Sequence, residues 1–147
     1  MKQAAKSNIG SNFRTVINAR LTGRWNGTTV DFTCDFDPPW DASKNGDVEL
    51  PPKSGPHHFK FHLHDPDKID LEFLQDTAVL DVDESGSCPP QSGIHSDQIR
   101  DITSNGNLAT FIDENSDDQR LLAYALKVTS KYGNTKFDPI IRNGGGF

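Results

Sequence analysis

The stretch HHFKFHLHD, residues 57–65, holds four of the chain's five histidines within eight positions. Its reading decides the fold. On a β-strand successive side chains point to opposite faces, so His58, Lys60, His62 and His64 share one face and His57, Phe59, Phe61, Leu63 and Asp65 the other. Burying Phe59, Phe61 and Leu63 is worth roughly 1.5–3 kcal/mol each. Turning the opposite face inward would desolvate Lys60 at a larger cost. The segment therefore reads as a strand with its phenylalanines in the core and the histidine–lysine face in water.

The same period of two runs outward in both directions. Phe13, Thr15, Ile17, Ala19 and Leu21 share one phase of a strand ending near Trp25. The Asn26-Gly27 pair then suits a two-residue type I′ hairpin. VDFTCDF follows, in which Val30, Phe32, Cys34 and Phe36 alternate with Asp31, Thr33, Asp35 and Asp37. Residues 38–56 are turn-like apart from the short DVEL. IDLEF alternates Ile69, Leu71 and Phe73 against Asp70 and Glu72, and is expected to return along residues 57–65 as a second hairpin. TAVLDVDE offers a further strand, and QIRDITSNGNLATFIDEN two short ones about a second Asn-Gly. LLAYALKVTS turns Leu122, Tyr124, Leu126 and Val128 inward before TKFDPIIRN closes the series. About eight strands at turn spacings of about 8–12 residues predict an all-β, two-sheet antiparallel sandwich.

Composition agrees. A chain of 147 residues is single-domain in size and can bury about two thirds of its unfolded surface. Nine phenylalanines supply a core, and twelve glycines with nine prolines supply turns. The expected organisation is a basic N-terminal arm over residues 1–12, one sandwich domain over 13–143 and a glycine-rich tail over 144–147. No apolar run approaches the roughly 20 residues needed to cross a bilayer, and MKQAAKSNIG lacks the apolar region of a signal peptide; a soluble chain of unassigned compartment is the expectation. A net charge of −6 argues against general nucleic-acid binding. The charge is also unevenly spread: Lys2, Lys6, Arg14, Arg20 and Arg24 precede the first acid, Asp31. A basic arm ahead of an acidic body favours head-to-tail attraction between copies.

The segment YALKVTSKYGNTKFDPII, Tyr124 to Ile141, resembles the closing hairpin of bacterial immunoglobulin-like β-sandwich domains, where an aromatic-led strand turns at a glycine–asparagine pair and returns as the last strand. The likeness covers about an eighth of the chain and implies a fold more than a chemistry. FDPII departs from the usual run of small and β-branched residues, and Pro139 points to an edge strand or bulge.

Several residues are candidates for function. His62 and His64, two apart on one strand face, stand about 6.5–7 Å apart at Cα and can converge on one ion such as Zn²⁺ or Cu²⁺. Glu72 or Asp70 on the expected partner strand would supply a third ligand, although Lys60 repels a dication. In DENSDD, Asp113, Asn115 and Asp117 repeat the opening spacing of an oxygen-rich calcium loop. Asp118 and Tyr124 stand where an EF-hand needs glycine and glutamate, so only a looser Ca²⁺ site fits. Cys34 and Cys88 are the only cysteines and form a disulfide candidate for an oxidising compartment. Trp40, in a proline loop, caps the core's edge or stands exposed as a contact; with Arg14, Arg20 and Arg24 it completes the candidate partner-binding set.

Enzyme signatures are absent: there is no phosphate loop, no G-x-S-x-G and no H-E-x-x-H. His95 beside Ser96 and Asp97 is no triad, because triad members meet in space from separate elements. The expectation is a non-catalytic binding or structural module without a resident cofactor. It would self-associate or bind protein, with its first and last strands as contact points. The alternatives are a Zn²⁺ or Cu²⁺ protein using the histidine strand, and a carbohydrate-binding module using Trp40 or Trp25.

Overall fold

The structure, a computed structural model, describes residues 15–37, 41–43, 45–75, 78–81, 96–117 and 119–144, with the backbone course alone for 41–42 and 78–81. It is all-β, with no helix among the described residues. Among the described residues twelve strands follow in order: β1 Thr15–Trp25, β2 Val30–Phe36, β3 Asp41–Ala42, β4 Val48–Leu50, β5 His57–His64, β6 Glu72–Phe73, β7 Ala78–Asp81, β8 Ile99–Asn105, β9 Leu108–Asp113, β10 Arg120–Ser130, β11 Gly133–Phe137 and β12 Ile140–Asn143. The first sheet runs β2-β1-β5-β9-β8. The second runs β11-β10-β12-β4-β3, with β6 and β7 also paired to β10.

The histidine strand takes the predicted phase. Phe59 and Phe61 are completely buried, and His62 and His64 are exposed. Phe59, Phe61 and Phe111 stack with centroids 4.9–6.1 Å apart, and Tyr124 of the second sheet tilts against Phe61 at 5.3 Å. Such aromatic contacts add about 0.5–1.5 kcal/mol each beyond area burial. Ile17, Ala19, Leu21 and Cys34 extend this cluster in the first sheet, facing Leu122, Leu126, Val128 and Ile141 in the second.

Both sheets are mixed, which corrects the antiparallel expectation. β1 runs parallel to β5 over eight residue pairs from Thr15–His57 to Thr22–His64, and β12 runs parallel to β4. The predicted return of IDLEF along β5 does not occur. β5 already has β1 on one side and β9 on the other, so no edge is free for a hairpin partner. Instead Asp65 accepts the amides of Ile69 (2.9 Å) and Leu71 (3.1 Å). The chain crosses to the second sheet, where β6 pairs with β10. Ile69, Leu71 and Phe73 are buried as their alternation predicts; the phase holds although the partner differs.

The first and last strands, expected as contact points, both lie inside sheets: β1 between β2 and β5, β12 between β10 and β4. β11 and β12 meet β10 in one uninterrupted register, from Ser130–Gly133 through Leu126–Phe137 to Arg120–Asn143. Asp138 and Pro139 interrupt the ladder without a slip; Pro139, having no N–H to give, accepts the Tyr124 amide instead. The two Asn-Gly turns differ from each other. Asn26 closes a four-residue loop, its Oδ1 taking the amides of Thr28 and Thr29, where a two-residue turn was predicted. The second is a two-residue loop, Gly106-Asn107 between Asn105 and Leu108, with Gly106 at φ 61°.

Candidate functional site

The outer face of the first sheet presents the side chains that the alternation turned to water. Parallel pairing sets His62 beside Arg20 and His64 beside Thr22. His62 Nε2 lies 3.3 Å from Asn18 Oδ1 and His64 Nδ1 lies 3.4 Å from Thr22 Oγ1. The two histidines thus lean on β1 by separate hydrogen bonds. Glu72 is not beside them, because β6 belongs to the other sheet and pairs with Thr129. Among the described residues no three His, Cys, Asp or Glu side chains are grouped so as to hold a metal ion.

Next to His62 lies an open cleft of about 490 Å³, lined by Asn18, Arg20, Asp35, Phe36 and Asp37 among others. Arg20 and Asp35 are register partners across β1 and β2, and no ion pair joins them. Arg24 is engaged, reaching Asp67 at 2.9 Å with both side chains largely solvated. Trp25 has one ring face covered: it stacks on Tyr132 at 3.9 Å, tying the end of β1 to the β10–β11 turn. Arg14, Trp40, Cys88, His95, residues 1–12 and residues 145–147 lie outside the described residues. Cys34 is a free, buried thiol, pushed up to about 12 by burial and then by the neighbouring Asp35.

The acidic loop divides. Asp117 turns to Arg120, which also binds Asp97 at 2.8 Å. Asp113 and Asn115 turn inward and are fully buried. Gln98 holds the loop in this course: its carbonyl takes the Glu114 amide and its Oε1 takes the amide and hydroxyl of Ser116. Asn115 adopts φ 45°, a left-handed conformation that asparagine tolerates better than most residues.

These side chains meet others that the spacing could not indicate. Asp113 Oδ1 accepts the Asn115 amide at 3.1 Å and Asn143 Nδ2 at 2.9 Å, joining the end of β9 to the end of β12 across the two sheets. Asn115 Nδ2 donates to the Pro51 carbonyl (2.8 Å) and to Ser54 Oγ (2.7 Å), and Ser54 Oγ lies 2.6 Å from His57 Nε2. His57 pairs in register with Asp113. Burial moves the two in opposite directions, lowering His57 to about 4 and raising Asp113 to about 6. Two signals for this cluster lie in the sequence: His57 falls on the apolar phase of its strand, and Asp113 and Asn115 share the spacing of an oxygen-rich loop. Asn143, Ser54 and Pro51 carried none.

No protein-family model matches the chain, and no curated protein matches it. Among solved structures, the crystal structure of the inclusion body protein PixA from Burkholderia cenocepacia aligns over 88% of this chain and 94% of that one, with 9% identity and a TM-score of 0.36. A likeness of that degree decides nothing about function.

Proposed function

We propose that the protein is a non-catalytic β-sandwich module that works by protein association, with further copies of itself as the leading partner, through strand addition at the β2 edge. One observation carries this reading. β2 is seven residues long, pairs with β1 without a register slip, and no described strand lies on its other side. Such an edge offers a row of backbone donors and acceptors to an incoming strand. The opposite edge of the same sheet is less suited, because β8 carries a register break opposite Phe111 and a left-handed Asp101 at φ 56°, the kind of bulge that blunts an edge.

Charge supports the same direction. Asp31 and Asp35 are exposed on β2, with Asp37 just beyond it, whereas Lys2, Lys6 and Arg14 precede the first acid in the sequence. A neighbour's basic segment is attracted to this edge, and a contact between two different patches propagates head to tail. In this reading the sandwich is immunoglobulin-like, which the buried Tyr124 on β10, the strand that leads into the closing hairpin, supports. Its hydroxyl bonds the Gly46 carbonyl at 2.6 Å.

Size-exclusion chromatography with light scattering, across protein concentration and salt, tests the proposal. Assembly at low salt should dissolve as salt rises, and Asp31→Lys with Asp35→Lys should shift the chain to monomer. A monomer at every concentration in low salt overturns the reading.

A further inference from the structure

The buried polar end of the sandwich is short of donors. Asp113 Oδ2, Asn115 Oδ1 and Asn143 Oδ1 have no hydrogen-bond partner, and their residues are 0%, 0% and 1% exposed. Turning either amide over does not cure this. Asn143 Nδ2 faces Asp113 Oδ1, and Asn115 Nδ2 faces the Pro51 carbonyl. Both of those oxygens only accept, so exchanging O and N in either amide would set oxygen against oxygen. With Asp113 ionised, the three leftover oxygens are therefore acceptors, and their residues meet at Asp113 Oδ1, which takes the Asn143 side-chain amide and the Asn115 backbone amide. Buried polar groups are almost always satisfied, and three acceptor oxygens in one cluster call for a guest that donates or carries positive charge.

We propose that Asp113, Asn115 and Asn143 bind a bare monovalent metal cation, Na⁺ or K⁺, at the end of the sandwich. Carboxylate and carboxamide oxygens are the ligands of hard cations. Charge balance selects the valence. Asp113 is the one carboxylate in the cluster, because Glu114 pairs with Arg100 at 3.1 Å and Asp117 with Arg120. His57 is neutral near pH 7, lowered by burial. A monovalent ion cancels the single charge, whereas a dication leaves a unit of buried charge without a counter-ion, which is costly. This differs from the calcium loop that the spacing suggested, since Asp117 has left the set and Asn143 has entered from the other sheet.

Thermal melting at fixed ionic strength in NaCl, KCl, CaCl₂ or N-methylglucamine chloride tests the assignment. The midpoint should rise by about 3–8 °C towards a plateau in NaCl or KCl relative to the organic cation, and the two salts identify the preferred ion. Asp113→Asn removes the charge and adds an amino donor for the orphaned oxygens, so it should fold and lose the ion response. Sodium NMR line broadening by the wild-type chain, displaced by KCl, reads the bound ion without any variant. Equal melting in all four salts with no sodium broadening means that a buried water supplies the donors, and overturns the proposal. So does a response confined to CaCl₂, or one that persists in Asp113→Asn.

Discussion

Asp113 and His57 face each other across the β5–β9 ladder and bias stability in opposite directions. Asp113 is raised from 3.8 to about 6, chiefly by burial. Its stabilisation is full below the unfolded value and is lost as pH rises through the folded one. His57 is lowered from 6.5 to about 4 by burial. Its neutral form is favoured by folding, so its contribution is present above 6.5 and lost as pH falls through about 4. Each is worth about 3 kcal/mol at 1.36 kcal/mol per pKa unit. Between about pH 4 and 6 the two cancel, with Glu114 and Arg120 the other charges acting on Asp113. In buffers whose only cation is organic, urea unfolding should show a nearly level wild type over this window. Asp113→Asn should gain stability as pH rises from about 4 to 6.5, and His57→Gln should lose it. Parallel slopes for all three proteins would refute the opposition. Gly46 sits at φ 91° with Phe137 and Pro139 packed where a Cβ would stand. Gly46→Ala adds left-handed strain to overlap with a buried ring and should cost about 3 kcal/mol, read as a lowered denaturant midpoint.

At the scale of the strand, the alternation of residues 57–65 was readable because it depends on local geometry alone. The neighbours of that strand were not. The sequence pointed to a short hairpin with IDLEF, but β5 instead takes a parallel partner some forty residues earlier and an antiparallel one some fifty residues later. Hydrogen exchange separates the two arrangements. Amides of β1 and β5, paired on both sides in the interior of the sheet, should exchange most slowly, while alternate amides of the edge strand β2 exchange far faster. A β1 that exchanged as quickly as β2 would contradict its interior position. The same limit applied to the candidate site. Asp113 and Asn115 were legible as a pair from their spacing, but Asn143, thirty residues beyond Asp113, joins them only because β12 ends where β9 ends. Glu72 was lost to the histidines for the same reason, its strand having crossed to the other sheet.

For the molecule as a whole, both sheets contribute to one buried cluster, and Cys34 reports on it. Its thiol is 1% exposed and held near pKa 12, and the thiolate is the reactive form. Alkylation of Cys34, followed by peptide mass spectrometry to keep it apart from Cys88, should proceed only as fast as the sandwich opens. The rate should therefore rise with denaturant in step with global unfolding. Fast labelling under native conditions would show that the core opens locally at β2.

Which residues go inside follows from local alternation. A pleated backbone alternates its side chains with a fixed period, so Phe59, Phe61, Cys34, Tyr124 and Leu126 could be assigned to the core from neighbours two positions away. Which strands lie side by side, which edge is left open and which polar groups are sealed together at the end of the sandwich were set by the packed fold. Those choices depend on contacts between residues far apart in the chain. Backbone hydrogen bonding is alike for every strand and leaves no local trace of the partner chosen.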